Sequence, residues 1–412
     1  MDAYKRAVAM MDRKDKGLIA CGLASNLDLL IGWDEELVQS WVDRFATVPR
    51  HYGQAFTMEE VANLFLYHLP RGGTECFVSP EIGRHIETEA NVSNRAVGGT
   101  GTHAAKVLSL LGFPALLHMT VICSPLLEHL RYPSLSMASA EGPVSGMEYN
   151  PGIEMQAPHY IFQFPKGACL TFQGKEYRAP VANKIMLSRN DVNTHLPLQP
   201  EFFHALRDRE DVPVLLLSAL SNLVNKEDLV GHPRLLAKYI SEMKKPPLVY
   251  YECGPFRVPD GLTYMMESFH TSIDILGCSD EEIFALTGET DTSAEGLYRA
   301  LCRTMEVLKP QKGLVLHTRE GALYYGNPLD CDIEAGLAMG GLTASTKARL
   351  GVYGTRGQVL AIQDEPNSPL GEEMRATLAP KGIIFVPSKP VEHPTASIGL
   401  GDTFTAGVLT CF

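Results

Sequence analysis

The residues near the C-terminus of the sequence have the types and spacing needed for phosphoryl transfer. Gly399, Leu400 and Gly401 precede Asp402, and an apolar segment with helical spacing follows directly. Glycines let backbone amides approach a ligand closely, and a helix start adds unpaired N–H groups and positive dipole character. These amides could stabilise a phosphoryl group while the Asp402 carboxylate accepts the proton of an attacking hydroxyl. The alternative is a strand-to-helix turn whose aspartate only caps the helix.

The composition indicates a globular protein with room for two domains. The chain has 412 residues, 45% hydrophobic and 20% charged, without an apolar stretch long enough to span a membrane. The net charge of -12 argues against sequence-independent binding of nucleic acid. Nine cysteines without a Cys-x-x-Cys pair, and an N-terminus unlike a secretory signal, favour the cytoplasm. We expect a monomer or small homo-oligomer with no nucleic-acid or membrane partner.

The hydrophobic pattern alternates between strands and helices over most of the chain, which predicts a parallel sheet flanked by helices. The predicted strands are 18–23, 116–121, 212–217, 248–251, 273–276, 313–318 and 383–387, and the predicted helices lie near 226–244, 293–308 and 332–349.

Short β-type stretches replace this alternation between about 145 and 190. Residues 159–164 and 169–172 are separated by Pro165-Lys166-Gly167, which predicts a hairpin within a small lid. The predicted division is a large α/β domain of residues 1–32, 95–144 and 191–412 and a lid domain of residues 33–94 and 145–190.

A second glycine-rich segment lies at Gly98, Gly99 and Thr100. The Walker pattern is absent from the chain, and residues 99–104 match the dinucleotide fingerprint only loosely, without the acidic residue that should follow. The segment therefore predicts a turn whose N–H groups contact substrate hydroxyls. A tight turn that only packs a helix closely is the alternative.

Six motifs occur in an order that resembles one known family. They are Asn26-Leu27-Asp28, the turn at 98–99, Tyr250-Tyr251-Glu252, Ser279-Asp280-Glu281-Glu282, His317-Thr318 and the Gly-Leu-Gly-Asp sequence at 399–402. Nearly end to end, the chain resembles the ADP-dependent sugar kinases, the glucokinase and phosphofructokinase branch of the ribokinase-like superfamily. The most specific stretch is SIGLGDT at 397–403, close to the family's T-V-G-L-G-D-T.

The resemblance implies a fold, a reaction and a cofactor. The fold is a ribokinase-like α/β domain, with a central mostly parallel sheet between helices, and a smaller β-containing lid. The reaction transfers the β-phosphoryl group of ADP to a hydroxyl of a hexose or hexose phosphate, giving AMP, with Mg²⁺. Asp402 then matches the catalytic base, and residues 399–401 match the anion hole.

The resemblance also places the acceptor sugar. Asn26 and Asp28 match positions that hold sugar hydroxyls, and a carboxylate that accepts two hydroxyls fixes both position and orientation. Asp28 follows a predicted strand, at the edge where ligands of open α/β sheets bind, although a turn-forming role would also explain it.

Glu252, Glu282 and Asp402 are the predicted metal positions. The two glutamates match the family's H-x-E and N-x-x-E elements, and Mg²⁺ takes few carboxylates alongside waters and substrate phosphates. The sequence departs from the family where Tyr250 replaces His and Ser279 replaces Asn. Ser279 and Glu282 also fit a helix capping box, which explains that pair without a metal.

His317, Thr318, Lys184 and Arg189 are the predicted nucleotide contacts. The family has a His-Thr pair near the phosphoryl donor, although a buried structural histidine would also explain His317. Lys184 stands where the family tends to have arginine. Lysine binds phosphate as a point charge, without the two parallel hydrogen bonds of arginine, so it indicates a phosphorylated acceptor less strongly than arginine would. Glucose and fructose 6-phosphate both stay open.

Two other functions fit the same residues. The Gly-x-Gly-Asp turn is shared across the superfamily, so an ATP-dependent ribokinase-type enzyme is one alternative. A catalytically weak sugar or nucleotide sensor is the other, because Tyr250 and Ser279 depart from the family pattern.

Overall fold

The computed structural model describes residues 2–152, 154–189, 191–395 and 398–412. Ala396 and Ser397, which belong to the predicted C-terminal motif, lie outside the described residues. No helix in the described part of the chain has both the length and the apolar character needed to cross a membrane.

Strands and helices alternate along the described chain. The strands are β1 (Ile19–Cys21), β2 (Asn26–Gly32), β3 (Gln54–Ala55), β4 (Thr74–Val78), β5 (Val92–Gly98), β6 (Ala115–Leu117), β7 (Leu135–Ser139), β8 (Gly142–Ser145), β9 (Pro158–Phe164), β10 (Cys169–Phe172), β11 (Lys175–Arg178), β12 (Asn183–Ser188), β13 (Val214–Leu217), β14 (Leu248–Glu252), β15 (Ile275–Ser279), β16 (Gly313–His317), β17 (Gly321–Gly326) and β18 (Ile384–Pro387). The α-helices are α1 (Ala3–Met10), α2 (Glu35–Phe45), α3 (Met58–His68), α4 (Pro80–Glu89), α5 (Thr100–Leu110), α6 (Ser124–Glu128), α7 (Pro200–Arg207), α8 (Lys226–Ser241), α9 (Gly261–Phe269), α10 (Asp280–Thr287), α11 (Ala294–Leu308), α12 (Ile333–Leu350), α13 (Arg356–Ala361), α14 (Pro369–Leu378) and α15 (Leu400–Leu409).

The larger sheet has ten strands in the order β18-β17-β16-β15-β14-β13-β1-β6-β7-β8. Every neighbouring pair from β16 to β7 is parallel, and antiparallel β17, β18 and β8 complete the two edges. Alternate residues of the central strands enter two separate apolar cores, with Leu216 in one and Leu215 and Leu217 in the other. Burial on both faces explains the continuous apolar stretches and confirms the predicted mostly parallel α/β class.

The smaller sheet has six strands in the order β3-β4-β12-β9-β2-β5. β2 pairs with β5 and β9, so residues 26–32 and 92–98 hydrogen-bond within this sheet. The predicted large domain includes residues 1–32 and 95–144. Within these ranges, residues 26–32 and 95–98 belong to strands of the smaller sheet. The division into two domains otherwise stays a prediction.

The predicted hairpin between 159–164 and 169–172 is wrong. β9 pairs with β2 and β12, whereas β10 pairs with β11 in a separate two-stranded sheet. Gln173 and Gly174 join β10 to β11 with φ values of 49° and 75°. Positive φ at both residues is typical of the tight turn whose twist matches that of a hairpin.

The C-terminal helix α15 crosses α12 at very short distance. A Cβ atom added to Gly407 of α15 would lie 2.6 Å from the Cα and N atoms of Gly340 in α12. One turn closer to the start of α15, Thr343 Oγ1 donates a hydrogen bond to the carbonyl of Thr403 at 3.0 Å. The crossing therefore fixes the first turn of α15 relative to the large sheet.

We predict that Gly407→Ala destabilises the protein by about 1–3 kcal/mol. Its methyl group would clash with the backbone of Gly340, which can move only if helix α12 moves with it. The midpoint of equilibrium urea unfolding measures this change. Gly341→Ala is the matched control in α12, since among the described residues outside its own helix its methyl group would meet only the Tyr4 hydroxyl, at 3.9 Å. An unchanged midpoint for Gly407→Ala would contradict the proposed backbone contact.

Candidate active site

The turn before α15 requires glycine at two positions for different reasons. Gly399 is the N-cap residue, with φ 67° in the left-handed region. Its carbonyl accepts hydrogen bonds from Thr403 Oγ1 at 2.7 Å and from Lys347 Nζ at 3.2 Å. A Cβ atom at Gly401 would lie 3.2 Å from two atoms of the His317 ring. Gly399 is therefore required by its left-handed backbone conformation, and Gly401 by the lack of space for a side chain next to His317.

Asp402 is the third residue of α15, and 26% of its side chain is exposed. Its Oδ2 atom lies 3.6 Å from Nε2 of His103, which is too long for a hydrogen bond. The N-cap position belongs to Gly399, and no hydrogen bond to the Asp402 carboxylate is formed by the described residues. Asp402 is therefore not the capping residue of α15. Its carboxylate can accept a hydrogen bond from a ligand hydroxyl.

Cationic and aromatic side chains from distant parts of the chain surround this turn. His103 of α5 hydrogen-bonds through Nδ1 to the hydroxyl of Tyr353. Lys347 Nζ lies 4.3 Å from the centre of the Tyr353 ring. Lys106 Nζ lies 4.9 Å from the same ring but contacts no residue of the turn among the described residues. Burial lowers the pKa of Lys347 to about 8, and attraction to Asp402 and Asp28 opposes part of that change.

Asp28 lies inside a strand and not after one, which corrects the prediction from sequence. It is the third residue of β2, opposite Ala96 of β5 and His159 of β9. Its side chain is buried, with Oδ1 3.3 Å from His159 Nδ1 but outside hydrogen-bonding geometry. Asp28 Oδ1 and His159 Nε2 both lack a hydrogen-bond partner within the described residues. Since buried polar atoms normally have partners, this pair indicates a place for a polar ligand.

The turn before α5 lies beside Asp28. A Cβ atom at Gly98 would lie 2.5 Å from Asp28 Oδ1, so this glycine leaves room for the carboxylate. Gly99 has φ 91°, and a Cβ there would lie 2.4 Å from the carbonyl oxygen of Ala24. Close packing thus explains Gly99, and contacts of Gly98, Gly99 and Thr100 with substrate stay a prediction.

Asn26 belongs to a buried polar network at the start of β2. Its Oδ1 accepts a hydrogen bond from Asn193 Nδ2 at 2.5 Å, and Asn193 Oδ1 accepts one from Thr120 Oγ1 at 2.6 Å. Thr120 in turn accepts a hydrogen bond from the Ser25 amide at 3.0 Å. The side-chain amide oxygen of Asn26 is therefore already hydrogen-bonded within the protein. A role of this residue in sugar binding stays a prediction.

Glu252 ends β14 and is connected to the glycine turn and α15 through His317 and Thr405. It is buried, and its Oε2 accepts a hydrogen bond from Thr405 Oγ1 of α15 at 3.0 Å. Its Oε1 lies 3.6 Å from His317 Nε2. Burial raises the pKa of Glu252, with His317 opposing that change. Burial lowers the pKa of His317, but Glu252, together with Glu282 and Asp280, raises it overall.

Glu282 forms the predicted capping box at the start of α10. Its Oε2 accepts hydrogen bonds from the amide and the hydroxyl of Ser279 at 2.8 and 3.0 Å. The Glu282 charge nevertheless raises the pKa of both Glu252 and His317, so the two glutamates share one electrostatic neighbourhood. The capping role is confirmed, and the metal role stays a prediction.

A cleft of about 1130 Å³ opens beside the glycine turn. It is lined by Leu400 and Gly401, by His317 and Thr318 at the end of β16, and by residues 181–182 before β12. The Thr318 hydroxyl donates to the Gly321 carbonyl at 3.1 Å and so also shapes the turn between β16 and β17. His317 and Thr318 therefore line the same cleft as the turn, and their contact with a nucleotide stays a prediction.

Lys184 and Arg189 are not joined to this cleft by any contact within the described residues. Arg189 Nη2 lies 3.4 Å from Asp191 Oδ2, and its side chain packs against Gly83. Both residues stay predictions as nucleotide contacts.

Sequence reasoning missed several residues of the site. They are His103, His159, Lys347, Tyr353 and Thr405. Each contacts a residue of the site that lies far away along the chain. His103 stands within the glycine-rich segment at 99–104 and Thr405 in the helix after the Gly-Leu-Gly-Asp turn, but neither pattern indicates their contacts. The packing of α5 and α12 against α15 brings His103 and Lys347 to the glycine turn.

Comparisons with known proteins identify relatives over most of the chain. Residues 17–317 match the model of the ADP-specific phosphofructokinase/glucokinase conserved region. The ADP-dependent glucose/glucosamine kinase of Pyrococcus furiosus is 22% identical over 394 residues, covering 85% of this chain and 83% of the relative.

Two solved structures share the fold. A hypothetical ADP-dependent phosphofructokinase from Pyrococcus horikoshii has a TM-score of 0.80 at 16% identity, covering 96% of this chain and 97% of its own. An ADP-dependent kinase in complex with fructose 6-phosphate and ADPβS has a TM-score of 0.79 at 16% identity, covering 99% and 96%.

We predict that Glu252→Gln lowers the pKa of His317, because the change removes the carboxylate charge that stabilises the imidazolium. Titration of the His317 Cε1 proton by NMR, assigned with a His317→Gln variant, measures it. Glu282→Gln serves as the graded control and should lower this pKa less. A His317 pKa that stays constant or rises in Glu252→Gln would contradict the pairing.

Proposed function

Because the chain belongs to the ADP-specific phosphofructokinase and glucokinase family, whose members are carbohydrate kinases, we propose a specific reaction for it. The enzyme transfers the β-phosphoryl group of ADP to a hydroxyl of a hexose or hexose phosphate and releases AMP. The observation that carries this proposal is the position of the Asp402 carboxylate. It has no hydrogen-bond partner among the described residues and stands beside a glycine turn at the start of a helix.

The reaction follows from the groups around that turn. The attacking hydroxyl donates its proton to Asp402, which removes positive charge from the acceptor oxygen as it bonds to phosphorus. Backbone N–H groups of the turn and the first turn of α15 face the negative charge on the phosphoryl oxygens. The catalytic contribution of these residues is therefore alignment and electrostatic stabilisation.

Asp28 and His159 are the groups that orient the acceptor in this proposal. Asp28 Oδ1 accepts a sugar hydroxyl, and His159 Nε2 bonds to a neighbouring one, which satisfies both buried atoms. Two hydrogen bonds from adjacent hydroxyls fix the sugar ring and so direct one hydroxyl toward Asp402. The nucleotide lies in the cleft beside His317 and Leu400.

We also propose that Glu252 and Glu282 hold Mg²⁺ together with water and substrate phosphates, since Mg²⁺ takes few carboxylates. The described residues contain no group of three or more His, Cys, Asp or Glu side chains that could hold a metal, so Asp402, which the sequence predicts as a third ligand, keeps only the role of general base in this proposal. Glu252 fits the metal-binding role because its burial and the Glu282 charge both disfavour its ionised form, and a cation would relieve both effects. When bound, Mg²⁺ would supply neutralisation of phosphate charge.

The proposal predicts AMP formation from ADP and its loss in one variant. Asp402→Asn should lower kcat by roughly 10²–10⁴-fold, since it removes the general base and keeps the shape of the side chain. ADP affinity, measured by calorimetry, should change little. Turnover is measured as AMP formed from ADP and Mg²⁺ with a panel of hexoses and hexose phosphates.

The same assay separates the alternatives. Turnover with ATP and not with ADP would identify a ribokinase-type donor, and ligand binding without AMP formation would identify a sensor. A near-normal rate for Asp402→Asn would remove this carboxylate from the mechanism.

Glu282→Gln should raise the Mg²⁺ concentration required for half-maximal rate. Glutamine still fits the capping box, so the start of α10 is kept while the charge is lost. The magnesium dependence of the initial rate measures this shift. An unchanged dependence, with unchanged thermal stability, would leave Glu282 with its capping role alone.

A further inference from the structure

Lys347 holds a buried ammonium group directly against the glycine turn. It is 5% exposed, and Nζ lies 2.7 Å from the point where a Gly399 side chain would begin. The His103 ring approaches the same point to 3.0 Å. The ammonium group and the ring thus meet the backbone at the start of α15, where the proposed reaction places the phosphoryl group.

The ammonium group has more donors than the described residues satisfy. It has three N–H bonds, and its hydrogen bond within the described residues is to the carbonyl of Gly399. The face of Tyr353 covers a second side of it. No carboxylate in the described ranges comes within ion-pair distance of Nζ, although Asp402 and Asp28 act on it electrostatically. A buried cation without an adjacent anion is costly, which indicates an anionic partner.

We propose that Lys347 is a further catalytic residue that donates hydrogen bonds to non-bridging oxygens of the transferred phosphoryl group. This inference rests on the proposed function. The negative charge on these oxygens supplies the anion that the ammonium group lacks. The structure thereby assigns a side-chain donor to a turn that otherwise offers backbone N–H groups.

The step balances without any further reactant. The bond from the acceptor oxygen to the β-phosphorus forms as the bond from that phosphorus to the bridging oxygen breaks. The electron pair of the broken bond stays with AMP, and the hydroxyl proton passes to Asp402. Lys347 keeps its proton throughout and acts by its charge and hydrogen bonds.

Lys347→Met removes the charge at nearly constant volume. We expect kcat to fall by about 100-fold, the size found when one preorganised donor to a reacting oxygen is lost. We expect the affinity for pyrophosphate, a probe that carries the same non-bridging oxygens, to fall by about 10-fold. AMP affinity should stay within about 2-fold, because AMP lacks the transferred group.

Lys106→Met is the matched control. Lys106 is also partly buried against Tyr353, yet it makes no contact with Gly399 among the described residues. Its kcat and its pyrophosphate affinity should stay within about 2-fold of the wild type, so a general effect of losing a lysine near Tyr353 is excluded.

Lys347→Gln covers the case in which Lys347→Met does not fold, since glutamine can still donate to the Gly399 carbonyl. An equal loss of AMP and pyrophosphate affinity in either variant would mean that Lys347 only supports the turn, and it would overturn the proposal. Unchanged pyrophosphate affinity would overturn it as well. This binding readout does not depend on turnover, whereas failure of the proposed function would appear as absent AMP formation by the wild type.

Discussion

The crossing of α12 and α15 is the constraint on which the candidate active site depends. Three contacts occur in sequence along it, from Gly340 to Gly407, from Thr343 to Thr403 and from Lys347 to Gly399. Residues 340, 343 and 347 lie on one face of α12, and residues 407, 403 and 399 follow one face of the C-terminal segment at four-residue intervals. One helical surface therefore supplies space, a hydrogen bond and a positive charge, in that order. Because the α12 and α15 backbones approach closely at Gly340 and Gly407, the Lys347 ammonium group reaches the turn at Gly399.

Charge is distributed unevenly across the turn. The Lys347 ammonium contacts Gly399 at the first residue of the turn. The Glu252 carboxylate lies beside His317, whose ring approaches Gly401 and lines the cleft. Burial works against the charged form of Lys347 and of Glu252 alike. A diphosphate with a divalent cation carries the complementary charges to both groups. The two buried groups are thus each unfavourable alone and compatible with the ligand pair that we propose.

The sequence predicted those parts of the site that depend on local chain geometry. Gly399, Gly401 and Asp402 form their turn within a few residues, and the capping box of Ser279 and Glu282 is equally local, so their spacing carried the signal. The long apolar strands of the large sheet were also recognisable, because burial on both faces leaves continuous hydrophobic stretches.

Features that depend on distant pairing could not be predicted in this way. Nothing in the sequence near His103 or His159 indicates that one faces Asp402 and the other faces Asp28. The hairpin error has the same origin, since β9 has its partners in β2 and β12 and not in the strand that follows it. The hydrophobic pattern predicts Asp28 after a strand because β1 and β2 are separated only by residues 22–25, too few for the pattern to show a change of sheet.

That short connection carries Asp28, which we propose to bind the acceptor, into the electrostatic neighbourhood of His103 and Lys347 that it shares with Asp402, the proposed general base. β1 belongs to the large sheet and β2 to the smaller one, so the chain passes between sheets just before Asp28. Ser25, Thr120 and Asn193 are buried there and hydrogen-bonded to one another. Breaking one of these bonds would leave a buried polar group unsatisfied, which favours a single arrangement of the connection. The buried hydrogen-bonded junction at one end of β2 therefore constrains the position of Asp28.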